Sequence, residues 1–350
     1  MCPTGTGLRL CGRDQGGGQE VDLARAFRDV FPKSGASIRL EKRAILPVEA
    51  YIVSHLCAVL PKTSWVDKQF LFYALRAKKL AENKAEGYPV LNLSEIRAVT
   101  LPLPPLSEQR AIAYVLRTVQ RAKEATERVI AALKELKKSL MKHLFTYGPV
   151  PLDQADQVPL KETEIGPVPE HWQVVCLGEV VAHKITDGTH KTPRYVAKGI
   201  PFVTAKDIIN GKIDFSGCKF ISLNEHKQLI KRCKPERGDI LLSKVGTLGT
   251  VAQVDADLEF SIFVQLALIK PDTSKVKPEY LKFSLMSSKV QSEIARTSSQ
   301  STMRYIGVAK IAKLPVPLPP LDEQHEIAHI LQTVDRKIEA EEARKEALEV

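Results

Sequence analysis

The stretch Leu103-Pro104-Pro105-Leu106-Ser107-Glu108-Gln109 returns as Leu318-Pro319-Pro320-Leu321-Asp322-Glu323-Gln324, an offset of 215 residues from Leu106 to Leu321. The likeness continues on both sides. Ala111-Ile112-Ala113 answers Glu326-Ile327-Ala328, and Leu116, Thr118 and Val119 answer Leu331, Thr333 and Val334. Upstream, Leu91, Leu93, Ile96 and Val99 correspond to Ile306, Val308, Ile311 and Leu314. A repeat of this kind outranks every other signal, and it restricts the chain to two related units, each a domain followed by a helix.

The local physics of the repeat is legible. Paired prolines hold φ near −65° and keep the preceding residue out of α geometry, so the chain arrives extended. Ser107 or Asp322 then offers an N-cap oxygen, and Glu108 or Glu323 places negative charge on the positive helix end. No Gly or Pro interrupts the chain from Ser107 until Gly148, enough for roughly 60 Å of helix at about 1.5 Å per residue. Val115, Val119, Ala122, Thr126, Val129, Leu133, Leu136 and Leu140 alternate in spacing between four and three, which predicts a heptad seam. The second helix carries Ile327, Leu331, Val334, Ile338 and Leu348, with a seam that weakens after Ile338. Lys134, Lys137, Lys138 and Lys142 on the first helix would complement Glu339, Glu341, Glu342 and Glu346 on the second if the two run antiparallel.

Charge and cysteine usage narrow the setting. Lys and Arg number 51 against 41 Asp and Glu, a net charge of +10 that favours a polyanionic partner. No apolar run approaches a membrane span, and the Gly-rich start lacks a signal core. The 6 cysteines are scattered without a C-x-x-C pair, so they read as free thiols of a reducing cytoplasm.

Along the chain, residues 1–44 read as an uninformative start open to disorder, with a weak helical pattern from Val21 to Phe31. Tyr51–Val53 and Leu56–Leu60 read as buried strand, Val66–Leu80 as amphipathic helix, and Tyr88–Val99 as a strand-like lead-in. The same order returns as strand Val264–Ile269, a helix around Tyr280–Met286, and lead-in strand Tyr305–Leu314. Ahead of that second set lies a long turn-rich region. It contains Pro169-Glu170-His171-Trp172, Asp187-Gly188-Thr189-His190-Lys191-Thr192-Pro193, Gly238-Asp239 and Gly246-Thr247-Leu248-Gly249, and predicts a many-stranded domain.

These two proline–Glu-Gln helices, each behind a domain with such turns, resemble the specificity (S) subunit of Type I restriction–modification systems. The resemblance covers roughly residues 45–350 and is most specific over 149–338. It implies an α+β fold in which two target-recognition domains are separated by long helices paired as an antiparallel coiled coil. Residues 45–102 correspond to a remnant of the first recognition domain, 103–147 to the first spacer helix, 148–316 to the second recognition domain and 317–350 to the second helix. The front half of the first domain has no counterpart of Gly238-Asp239 or Gly246-Thr247, and the second helix stops before a lysine-rich ending. The chain therefore reads as a truncated S subunit. Its implied partners are double-stranded DNA, methyltransferase (M) subunits and, through the complex, restriction (R) subunits. S-adenosylmethionine, ATP and Mg would be bound by those partners and no cofactor by this chain.

Three loops offer DNA-contacting chemistry. Thr189, His190, Lys191 and Thr192 combine hydroxyls, an imidazole and a cation beside a glycine; Lys244 and Thr247 flank the second glycine loop; Ser299, Gln300, Ser301 and Arg304 form a hydroxyl-rich third. Such sets meet phosphates and base edges together, although each alone also reads as a solvated polar turn. Trp172 reads as core. For helix pairing the expected residues are Val119, Leu133 and Leu140 against Leu331, Val334 and Ile338. There is no Walker A loop, no dinucleotide glycine fingerprint and no Asn- or Asp-Pro-Pro-aromatic run, so the chain reads as non-catalytic. Two other readings stay open: a helical protein–protein scaffold that never binds DNA, and a solitary nuclease or methyltransferase.

Overall fold

The computed structural model describes residues 8–11, 22–24, 29–32, 34, 38, 43–46, 50–52, 55–61, 64–78, 80, 90–299 and 304–348. It divides into two compact units, one of residues 1–127 with 347–350, the other of residues 128–346.

In the first unit, Leu56–Pro61 is a central strand, antiparallel to Leu8–Cys11 on one side and Asp29–Pro32 on the other, with Ala44–Ile45 at the edge. Its alternation is that of a strand between two layers. Cys57 and Val59 join Phe31, Ile38, Leu71, Leu75 and Ile96 in one cluster, whereas Ala58 meets Val30 on the opposite face. Asp22–Ala24 pairs with Ala50–Ile52. Two readings change here. The weak helical pattern from Val21 to Phe31 gives way to the strands Asp22–Ala24 and Asp29–Pro32, because pairing with distant segments overrides a marginal local preference. Helix α1 (Lys68–Arg76) is capped by Asp67, which accepts from the Gln69 and Phe70 amides at 2.9 and 3.0 Å. The run that looked like a strand up to Val99 contains instead a short helix, α2 (Leu93–Arg97), begun by a 2.8 Å bond from the Asn92 amide to Glu95 Oε2.

Helix α3 runs unbroken from Leu106 to Tyr147; its residues up to 127 belong to the first unit and the rest to the second. The second unit adds α4 (Leu223–Leu229), α5 (Pro278–Met286), α6 (Ser288–Thr297), α7 (Val308–Ile311) and α8 (Leu321–Ala347). One of its sheets is antiparallel in the order Thr186–Asp187, Leu266–Ile269, Ile240–Ser243, Val251–Gln253. A second runs Tyr195–Val196, Lys219–Ile221, Ile200–Val203, Ser261–Ile262, its last pair parallel. The Ile240–Ser243 strand is unbroken in hydrophobicity because both faces are covered. Ile240 and Leu242 enter the core around Trp172, Tyr280, Phe283 and Leu331, while Leu241 enters that of Val203, Phe260 and Ile262. The predicted Tyr305–Leu314 strand is replaced by α7 and a later strand, Pro315–Leu318, paired with Gln173–Cys176.

Within the second unit the end of α3 and α8 lie antiparallel, joined by Lys134–Glu342 at 2.8 Å and Lys137–Asp335 at 2.5 Å. The seam of α3 is rotated from the heptad reading. Val115, Val119, Val129 and Leu136 are 58, 38, 42 and 47 % exposed. Thr126, Ile130 and Leu144 are buried, Leu133 and Leu140 half-buried. The missed position is Lys137, at four-three spacing with its neighbours. Its ammonium lies 5.4 Å from the centre of the Phe283 ring and reaches Asp335, so a charged residue occupies the seam through its aliphatic stem. On α8, Leu331 and Ile338 are buried and Val334 half-buried. Val119, in the part of α3 that belongs to the first unit, is exposed. Past Ile338, α8 continues as regular helix with Glu341 buried between Lys337 and Arg344.

The repeated glutamine has a role that its sequence did not announce. Gln109 accepts from the Asp67 amide at 2.8 Å and donates to the carbonyls of Trp65 (3.1 Å) and Pro104 (2.7 Å). Gln324 accepts from the Lys277 amide at 2.8 Å and donates to Lys275 (3.1 Å) and Pro319 (2.8 Å). Each glutamine is buried and ties the proline turn to the N-cap residue of α1 or α5, satisfying groups that would otherwise be orphaned.

Candidate nucleic-acid interface

All three loops singled out in the sequence belong to the second unit, and two hang from one short segment, residues 262–265. Thr189 donates its amide to the Ile262 carbonyl (3.1 Å) and accepts from the Val264 amide (3.0 Å). Lys244 donates its amide to the Gln265 carbonyl at 2.8 Å and accepts from the Ile306 amide at 3.0 Å, which brings in the third loop. Gly188 makes this approach possible. A Cβ there would lie 2.1 Å from the Ile262 carbonyl oxygen, a position no side chain tolerates.

The first loop presents His190, Lys191 and Thr192 to solvent, whereas the Thr189 hydroxyl is used internally, bonded to the backbone of Lys191 at 3.2 Å. Beneath it lies Asp187, a residue the sequence reading left without a role. Its buried carboxylate faces Lys244 Nζ at 2.8 Å, His190 Nε2 at 3.3 Å and the Arg232 guanidinium. Burial by itself would raise the Asp187 pKa; the Lys244 hydrogen bond and the charges of Lys244, Arg232 and His190 outweigh it and hold the carboxyl below its ordinary range.

This arrangement corrects the expectation for Lys244. Only 2 % exposed, it is the internal counter-ion of Asp187, with its ammonium 5.1 Å from the centre of the Tyr305 ring, and does not face solvent. A buried carboxylate must be paired, and the nearest available cation fills that need. Thr247 does stand exposed, on a loop held by its own backbone. The Ser243 hydroxyl donates to the Thr247 carbonyl, and Thr250 donates to the same oxygen at 3.0 Å. Gln291 Nε2 fastens the loop to the body through the Gly249 carbonyl at 2.8 Å. The third loop is closed at its neck by Ser299 and Tyr305, amide to carbonyl at 2.9 Å and amide to hydroxyl at 3.1 Å. Arg304 is exposed. Gln300 and Ser301 lie outside the described residues.

Trp172 is fully buried, and its indole N–H donates to Glu323 Oε2 at 2.9 Å while His171 meets Glu323 Oε1 at 2.7 Å. It is a core residue, with no open face for stacking. Among the described residues no cluster of His, Cys, Asp and Glu could hold a metal ion, and no helix is long and apolar enough to cross a membrane.

Anchored polar loops on an α+β body, a buried glutamine repeated at the start of two long helices and the pairing of those helices within the second unit define the architecture. Comparison with known proteins gives that architecture its family. The family model for the Type I restriction modification DNA specificity domain matches residues 42–135 and 169–350, and the chain belongs to this family. It is 28 % identical over 305 residues to the Type I restriction enzyme MjaVIII specificity subunit of Methanocaldococcus jannaschii, covering 82 % of this chain and 68 % of the relative. To the EcoBI specificity subunit of Escherichia coli it is 26 % identical over 291 residues, covering 79 % of this chain and 61 % of the relative. The fold is also that of the S subunit of a Type I restriction–modification system from M. genitalium, with a TM-score of 0.62 at 13 % identity over 94 % of this chain and 81 % of that one. By this homology the protein is a Type I specificity subunit and is itself non-catalytic.

Proposed function

We propose that the second unit reads one half of a split double-stranded DNA target, and that the paired helices dock methyltransferase subunits, through which restriction subunits join the complex. In this reading residues 148–316 are a recognition domain and residues 45–102 a remnant of another. Methylation and cleavage, with their S-adenosylmethionine, ATP and Mg, belong to the partners, and the complex works in the cytoplasm. The observation that supports it most is the common anchoring of the loops on residues 262–265 and 306, with Lys191, Thr192, Thr247 and Arg304 exposed on them. His190 and the hydroxyls of Thr192 and Thr247 would meet base edges, Lys191 and Arg304 phosphates, and Lys244 would act only through the loop it holds. Leu133, Leu140, Leu331, Val334 and Ile338 would keep the helices paired, and Val119 would lie on a face open to a partner.

The test is duplex binding by the chain with its M subunit as salt is varied. Lys191→Ala and Arg304→Ala should each weaken all sequences alike and flatten the log–log salt slope by about one. Wild-type chain that binds no duplex in preference to another would overturn the reading and leave the protein-binding scaffold. Slopes unchanged in both variants would move the phosphate contacts elsewhere.

A further inference from the structure

Beside the second loop lies an open cleft of about 320 Å³, lined by Tyr195, Lys206, Gly246, Thr247, Phe263 and Gln265 among others. Its walls are unlike one another. Tyr195 and Phe263 supply aromatic surface, and both rings pack against Phe202, at 6.1 and 5.9 Å between centroids. Lys219 lies over Tyr195 with its ammonium 4.4 Å from the ring centre, fixing that wall further. At the rim are the exposed cation Lys206 and the Thr247 backbone turn.

Gln265 is the anomaly in this cleft. Its backbone is committed, accepting from the Lys244 amide. Its side chain, half-buried, makes no hydrogen bond to any described residue, whereas Gln109 and Gln324 use both ends of their amides in holding the backbone. Its amide atoms are not among the buried ones, so water serves them in the free chain and a base edge can take their place at little cost. Its place is also singular: Val264 before it is bonded to the first loop, and Gln265 itself to the strand that leads into the second.

We propose that Gln265 reads an adenine through a bidentate contact from its side-chain amide, with the cleft admitting the base edge and Lys206 meeting a neighbouring phosphate. The inference rests on the DNA-reading role of this unit and adds to it a specificity-determining residue outside the polar loops. The chemistry selects the base. An amide presents one donor and one acceptor side by side, matching N7 and the N6 amino group of adenine; guanine offers two acceptors to the same edge and leaves the amide oxygen unmatched.

The experiment selects random duplexes with the full chain, co-produced with its M subunit, as wild type, Gln265→Ala and Gln265→Glu. Wild type should show a preferred motif with adenine at one position. Gln265→Ala should lose preference there by about 5- to 150-fold, the range for a bidentate base contact, with every other position unchanged. Gln265→Glu, now an acceptor only, should move the same position towards cytosine, whose N4 amino group donates. Since the side chain holds no bond within the described protein, both variants should melt with the wild type. A motif unaltered in Gln265→Ala overturns the assignment while leaving DNA reading intact. So does a uniform loss across all sequences, which would mark a phosphate or structural role. Absence of any preferred motif in the wild type would sink both this assignment and the reading beneath it.

Discussion

The turn before α3 and the turn before α8 are close copies in sequence, and their glutamines are used in the same way while their glutamates are not. Gln109 and Gln324 each bind one amide and two carbonyls, in each case tying the proline turn to the N-cap residue of an earlier helix. Glu323 is drawn into the body of its unit by Trp172 and His171, whereas Glu108 is exposed. The difference teaches what a repeat preserves. Buried backbone groups must be satisfied wherever the same turn is made, so the glutamine is demanded twice. The glutamate's partners, His171 and Trp172, come from a segment far from the turn in sequence, and no described residue plays that part for Glu108.

Replacing the glutamines should give the largest effect. Gln324→Ala would leave the Lys277 amide and two carbonyls without partners, at a cost of about 2–4 kcal/mol for such buried groups. Gln109→Ala should cost a similar amount in the first unit, as read by chemical denaturation of the full chain. A loss below about 1 kcal/mol in one variant alone would break the equivalence.

The glutamates should separate the copies. Glu323→Ala removes two hydrogen bonds to a half-buried carboxylate and leaves the Trp172 indole N–H buried without an acceptor, for about 1.5–3 kcal/mol. Glu108→Ala should stay within about 0.5 kcal/mol, as exposed substitutions do. Equal losses from the two would mean that the helix dipole, common to both, governs this position.

A smaller effect lies in pH. The Asp187 carboxyl is held below its ordinary value in the folded chain, so its contribution is present above about pH 4 and disappears as pH falls through the lower, folded pKa. Thermal unfolding between pH 6 and 3 should show this loss in the wild type. The double variant Asp187→Asn with Lys244→Met, which carries no charge at the pair, should have a shallower acid limb. An identical acid limb in the two proteins would remove Asp187 as a source of the pH dependence.

Much of the architecture could be read from local rules. The repeat marked two units, prolines and acidic caps marked where α3 and α8 begin, and glycine-rich polar stretches marked loops that do stand exposed around Lys191, Thr192 and Thr247. The α3 seam differs from the heptad pattern at several positions: Val129 and Leu136 are exposed and Ile130 and Lys137 take their places, Lys137 counting as polar in a pattern of letters yet lying across Phe283. Val21–Phe31 and Tyr305–Leu314 were misjudged in type, because short segments take their form from what pairs with them.

At the candidate site the boundary is sharper. Composition, turn residues and the repeat determine that polar, cationic loops will surround a buried core, and each of those signals acts over a few residues of chain. Only the tertiary structure decided which polar residues those loops turn inwards. Lys244 meets Asp187, and Gln265 is left with its amide open beside the second loop. A buried charge must find its partner in space, and Asp187, Arg232 and Lys244 become neighbours only after strands Thr186–Asp187 and Ile240–Ser243 have joined one sheet and the segment following α4 has packed beside them.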